Sequence, residues 1–156
     1  MNDTALKAWL ENEGFPTADS LQQTLHGRIS NATTPLMHAA RLGRIGYIGD
    51  LLSRGADPRE MNADGNGALW FACHAGSAPC ANALIKAGAP LDSQNANGAT
   101  ALIYAASAGK TGIVQLLLDA GADTTLATLG GFTALDLAAN RGCIDLLRSR
   151  LHLQAA

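Results

Sequence analysis

Asn97 to Asp123 reads NGATALIYAASAGKTGIVQLLLDAGAD, and this stretch decides the fold. Gly98 belongs to a turn signal, and the hydroxyl of Thr100 is suited to cap a helix that begins just after it. Leu102, Ala105 and Ala106 follow at i, i+3 and i+4, the spacing of one buried helical stripe. Gly109 stops this short helix, because a left-handed stop position strains any residue with a Cβ. A second helix runs from about Thr111 through Ile113, Val114, Leu116 and Leu117 to Ala120, and Gly121 stops it in the same way. Each helix is roughly two turns long, too short to persist alone in water. The pair must therefore bury its apolar side against something else.

That something is further copies of itself. Leu102 has counterparts at Leu36, Leu69 and Leu135, each 33 residues from the next. The helix-ending glycine recurs as Gly43, Gly76, Gly109 and Gly142, and the small inward residue as Ala39, Ala72, Ala105 and Ala138. A second stop recurs as Gly55, Gly88 and Gly121, each followed by alanine. So strict a period over four units is the signature of a solenoid. The stretches Thr34-Pro35-Leu36, Gly55-Ala56-Asp57, Gly98-Ala99-Thr100-Ala101-Leu102, Gly121-Ala122-Asp123 and Gly131-Phe132-Thr133-Ala134-Leu135 resemble ankyrin repeats. The resemblance covers about residues 29–152. It implies an all-α solenoid of stacked helix-turn-helix units joined by short hairpin loops. The expected division is a single domain over 1–156, with an N-terminal capping segment at 1–28. Repeats are expected at about 29–60, 61–93, 94–126 and 127–156.

Bulk properties restrict the function. The chain has 156 residues, 47% of them hydrophobic and only 15% charged, with a net charge of −2. No run of Lys and Arg is present to track phosphates, so no nucleic-acid partner is expected. The N-terminus lacks the basic start and apolar core of a secretory signal, and no apolar run approaches the roughly 18 residues that span a bilayer. The expectation is a cytoplasmic protein with no membrane partner. The cysteines, Cys73, Cys80 and Cys143, show no CxxC pair, which fits small buried hydrophobes in a reducing compartment.

Along the chain, Asp3 is expected to cap a first helix with the apolar stripe Leu6, Trp9 and Leu10, broken at Gly14, Phe15 and Pro16. With no counterpart on the period, these side chains are expected to cover the open flank of the first repeat; the alternative is a peptide-binding arm. From Thr17 to Arg28 the pattern is weak, with Leu21 and Leu25 suggesting one short turn of helix. The first repeat carries Thr34-Pro35-Leu36-Met37-His38, which displaces the histidine of the family's Thr-Pro-Leu-His by one position, away from the place where that histidine ties to the threonine. Gly46 and Gly49 inside its second helix each cost about 1 kcal/mol relative to alanine. The second repeat departs furthest. It reads Gly67-Ala68-Leu69-Trp70, with the capping hydroxyl gone, two aromatics at Trp70 and Phe71, and His74 one turn on. In the last repeat Arg148 and Arg150 fall at apolar positions, as suits a polar end.

No catalytic motif is complete in the sequence. Gly109-Lys110-Thr111 looks like the end of a phosphate loop, but Tyr104 occupies the position where that motif needs glycine. Cys73 and His74 are sequence neighbours that point about 100° apart on a helix, and His26, His38, His74 and His152 lack metal spacing. No catalytic residue, metal or cofactor is expected, and the chain is not expected to be an enzyme. The resemblance instead implies a protein–protein interaction module, an adaptor, inhibitor or immunity protein, or accessory subunit. It would bind an unidentified protein partner through a concave face and hairpin tips. The position-by-position carry-over places Arg41, Phe71, His74, Tyr104 and Arg141 on the face, with the aromatic Trp70 adjacent. At the tips it selects Met61, Asp64, Asn66, Asn97, Leu129 and Phe132. The competing readings are a small enzyme or metal-binding protein and a self-associating structural protein; the expected state is a monomer.

Overall fold

A computed structural model describes residues 2–16 and 19–155, with side chains described as far as 153. Thr17, the start of the weakly patterned segment, falls outside them. The described residues form ten α-helices: α1 (Asp3–Asn12), α2 (Leu21–Leu25), α3 (Pro35–Arg41), α4 (Ile45–Ser53), α5 (Ala68–Ala75), α6 (Ala78–Lys86), α7 (Ala101–Ser107), α8 (Thr111–Asp119), α9 (Ala134–Leu137) and α10 (Arg141–Ala155). No strand occurs among them. The isolated bridges Ile29↔Thr33, Met61↔Gly67 and Ala127↔Thr133 close hairpin turns before α3, α5 and α9.

The helices stack in two layers. The first helices α3, α5, α7 and α9 touch in succession, and so do the second helices α4, α6, α8 and α10. The period explains why. Leu36, Leu69 and Leu102 are buried at 33-residue steps, and Ala39, Ala72 and Ala105 are fully buried beside them. Alanine at that position lets neighbouring helices approach closely, while Ile48, Leu51, Leu84, Val114 and Leu117 fill the space from the second layer. Thr34, Ser77, Thr100 and Thr133 each accept a backbone N–H at a helix start, as at Thr100, where Ile103 N–H donates to Oγ1 at 3.1 Å. Gly67 supplies no such group, and α5 starts without a side-chain cap.

The N-terminal stripe packs as expected. Leu6, Leu10 and Phe15 are buried, and half-buried Trp9 stacks on Tyr47 of α4 with ring centroids 4.0 Å apart. The cap, however, is Asn2, whose Oδ1 accepts from Ala5 N–H at 2.8 Å. Asp3 is the first helical residue instead, and its carboxylate takes Arg54 Nε–H at 2.8 Å. The displaced histidine also finds a new role. His38 Nε2–H donates to Glu13 Oε2 at 2.6 Å, and its Nδ1 accepts from Arg41 Nη2 at 2.7 Å. Since guanidinium offers no acceptor, the proton must sit on Nε2. His38 thus ties the N-terminal segment to α3 rather than serving Thr34, which caps Met37 N–H alone.

The fourth unit departs from the period. Gly43, Gly76 and Gly109 are left-handed (φ +66°, +70° and +70°), but Gly142 lies inside α10 and is not a helix stop. Asn140 is the cause. Its Oδ1 accepts from Cys143 N–H at 2.9 Å and so caps α10 one turn early. Its Nδ2 donates to Gly109 C=O at 3.0 Å, fastening this turn to the preceding unit. As a result α9 is only one turn long and Leu135 is half-buried, unlike its three counterparts. Arg148 is exposed, but Arg150 reaches back to Leu118 C=O at 3.2 Å and to Asp119, capping the end of α8.

Two glycines separate helix softness from close approach. A Cβ at Gly49, on the exposed side of α4, would touch nothing within 4 Å. A Cβ at Gly98 (φ +76°) would stand 2.8 Å from Leu129 N in the next hairpin. Gly49→Ala is expected to stabilise the chain by about 0.5–1 kcal/mol, and Gly98→Ala to destabilise it by more than about 1 kcal/mol. Urea denaturation of the two variants measures both.

Candidate functional site

The exposed part of the first-helix layer is a row along its C-terminal turns. Arg41, His74, Ser107 and Asn140 are all exposed, as are Leu42, Ala75, Ala108 and Arg141 beside them. The row one turn earlier points further inward: His38 and Phe71 are buried, and Tyr104 and Leu137 are half-buried. Alternation of this kind follows from the 100° step of the helix, since one stripe packs on the second layer and the stripe beside it meets solvent.

Four aromatic rings interrupt the small residues in the middle of this face. Trp70 meets Phe71 edge-on at 5.2 Å and stacks on His74 at 5.4 Å. Tyr104 of α7 lies 4.9 Å from Trp70 and stacks on His74 at 5.6 Å. Phe71 departs from the expected surface role, being only 9% exposed within the core. It meets Trp70 edge-on, while His74 is exposed and Tyr104 half-buried. Burial raises the Tyr104 hydroxyl above its ordinary pKa, with a smaller contribution from Cys73. The Trp70 indole Nε1–H is buried with no acceptor among the described residues, an arrangement that costs stability. Its ring also lines a cavity of about 20 Å³, shared with Met61, Asn66, Pro90, Leu91 and Ala101.

The hairpin tips are joined from unit to unit. Asn31 Nδ2 donates to Asp64 Oδ2 at 2.6 Å, Ala96 N–H to Asp64 C=O at 2.9 Å, and Leu129 N–H to Asn97 C=O at 3.0 Å. Asn66 Oδ1 accepts from Asn95 Nδ2 at 3.0 Å, so its side chain is engaged within the ladder. Half-buried Met61 packs against Gly67, whereas Asp64 and Asn97 are exposed. Leu129 and Phe132, 82% and 52% exposed, leave the last hairpin with an apolar tip. Asn62 and Asn95, which sequence reasoning passed over, shape these turns. Asn62 Oδ1 accepts from the N–H groups of Asp64 and Asn66, and Asn95 Oδ1 from those of Asn97 and Ala99, all at 3.0 Å. Their 33-residue spacing and the known turn habit of asparagine were the available signals.

Of the flanking cations, Arg41 is exposed but already donates to His38, and Arg141 lies 3.7 Å from Asp145 with both side chains open to water. Such a pair is worth little. Cys73, Cys80 and Cys143 are free and fully buried, and burial pushes the Cys73 thiol up to about 12 despite the nearby positive charge of Lys110. Among the described residues no group of three or more His, Cys, Asp or Glu side chains is placed to hold a metal, and no helix is long and apolar enough to cross a membrane.

A family model described as ankyrin repeats matches the chain in three overlapping copies, over residues 2–95, 36–128 and 69–152. Among curated proteins no sequence matches.

Nucleophilic attack needs the thiolate, which Cys73 does not supply below its raised pKa. Labelling of native protein at pH 8 with a thiol reagent is expected to be slow at all three cysteines and to become fast in urea. The raised pKa also carries a stability cost at high pH. The folded state holds the Cys73 proton more tightly than the unfolded chain does, so its contribution is complete below about pH 9 and is lost towards about 12. Rapid labelling of Cys73 in the native chain would contradict its burial.

Proposed function

The chain belongs to the ankyrin-repeat family, and we propose that it acts by binding a partner protein on the exposed face of its first helices, around Trp70, His74 and Tyr104. Ankyrin repeats are generally protein–protein interaction modules. The single observation that carries the assignment to this face is the stack of exposed His74 on half-buried Tyr104, with Trp70 against both rings and Phe71 edge-on to Trp70. Rigid aromatics lose little entropy on binding and bury a large area, so they make the energetic centre of most interfaces. The exposed tips Asp64, Asn97 and Leu129 give the rim, with Phe132 beside them and Arg41 and Arg141 at the opposite border. Met61, Asn66 and Phe71 support the surface from beneath.

No chemistry competes with this reading. Two polar groups of the face, Ser107 and Asn140, are spent on Tyr104 C=O and on the α10 turn. The chain works as a stoichiometric binder and as a monomer, in the manner of an adaptor, an inhibitor or an accessory subunit.

Photo-crosslinking tests the face. A photoreactive residue placed at position 74 in the full chain, expressed in its native cell, is expected to capture one partner protein. The same residue at exposed Asn82 on α6 is expected to capture none. Equal capture from position 82, or none from position 74, overturns the assignment. A product consisting of two copies of the chain transfers the face to self-association.

A further inference from the structure

The turns between paired helices, residues 41–45, 74–78, 107–111 and 140–144, form one continuous edge of the stack. A Cβ at Gly43 would stand 3.8 Å from Ser77 Cβ, at Gly76 3.5 Å from Lys110 Nζ, and at Gly109 3.0 Å from Asn140 Nδ2, so each turn lies against the next. Four cations stand in these turns, Arg41, Arg44, Lys110 and Arg141, with His74 among them and no carboxylate. The hairpin side is of opposite character. Residues 57–66, 90–99 and 123–132 hold Asp57, Glu60, Asp64, Asp92 and Asp123 against Arg59, with Arg28 of the first hairpin paired to Glu60 at 3.0 Å.

A chain with net charge −2 therefore concentrates positive charge on one edge. Side chains, not backbone dipoles, produce it, since α4, α6 and α8 begin at this edge while α3, α5 and α7 end there and their dipoles oppose. The carboxylates that approach it sit at its two ends. Glu13 is engaged by His38, and Asp145 lies beside Arg141. Among the described residues Arg44 and Lys110 pair with no carboxylate. Lys110 also lies against the turn that follows His74, so the cationic edge and the aromatic stack meet.

We infer that this edge receives an acidic protein segment in extended conformation. Its carboxylates face Arg44, Lys110 and Arg141, and one apolar or aromatic side chain rests on His74 and Tyr104. The inference rests on the binding reading above and adds the chemistry of the partner. Neighbouring helices lie about 8–10 Å apart, so four turns span roughly 25–30 Å. About eight to ten extended residues cover that length. Complementary charge of this kind sets orientation and speeds encounter, and the aromatic centre holds the complex.

Selection of a displayed random peptide library on the full chain tests this. Enriched peptides are expected to carry several Asp or Glu residues around an aromatic or aliphatic one. Synthetic copies should lose more than tenfold in affinity to Arg44→Glu/Lys110→Glu and to His74→Ala, and less than twofold to Arg59→Glu on the hairpin side. The glutamates stand at the starts of α4 and α8, where negative charge favours the helix, so the variant retains its fold. Raising NaCl from about 0.05 to about 0.5 M on unmodified chain gives an independent reading, with affinity expected to fall severalfold. Neutral or basic peptides that are still lost in His74→Ala overturn the acidic partner and leave the binding face standing. Peptides indifferent to His74→Ala, or no enriched peptide, overturn both. A twelve-nucleotide oligothymidylate that competes equally well overturns the inference by making the edge a general anion surface.

Discussion

No helix pair in this chain can bury its apolar side alone, and everything else in the structure depends on that constraint. Two helices of two turns each leave Leu36, Leu69 and Leu102 with one face uncovered until the next unit arrives. Stability is therefore a property of the seams between units. The alanines at 39, 72 and 105 set how closely the seams close, and the second helices fill them from behind. Hairpin tips repeat the same dependence in hydrogen bonds, since Asp64 and Asn97 each hold the tip of a neighbouring unit.

A stack held through its seams leaves the outward stripe of each first helix outside the packed core, although Asn140 on it still caps α10 and ties to Gly109 C=O. Arg41, His74, Ser107 and Asn140 occupy one such stripe, and their identities differ at every step while the seam residues repeat. This is how a periodic scaffold carries aperiodic information. The ring stack and the cationic turns are local departures from the period, placed where departure costs the fold little. The second unit does give up something for Trp70, namely the cap that threonine supplies elsewhere and, among the described residues, an acceptor for the indole N–H.

Legibility in the sequence followed the same division. Helix order, layer assignment and the seam residues could be read from the 33-residue spacing, because seam packing imposes that spacing. What escaped was decided by single polar contacts. Gly142 looked like a stop until Asn140, capping α10 a turn early, placed it inside the helix. Asp3 lost the cap to Asn2 because a one-residue shift leaves the apolar stripe unchanged. His38 found Glu13 across 25 positions, a pairing no local pattern encodes. Phe71 sits where the helix angle falls between the packed and open stripes. It joins the core and meets Trp70 edge-on, a contact that spacing alone does not decide.

The central claim is that the seams hold the fold and leave the first-helix face free for a partner. Chemical denaturation of a His74→Ala/Ser107→Ala chain tests it most directly. Both side chains are exposed and touch only their own face, so the free energy of unfolding should stay within about 1 kcal/mol of the parent. A loss of about 3 kcal/mol or more, the size expected for truncating a buried leucine such as Leu102, would show that this face carries the fold, and would contradict the account.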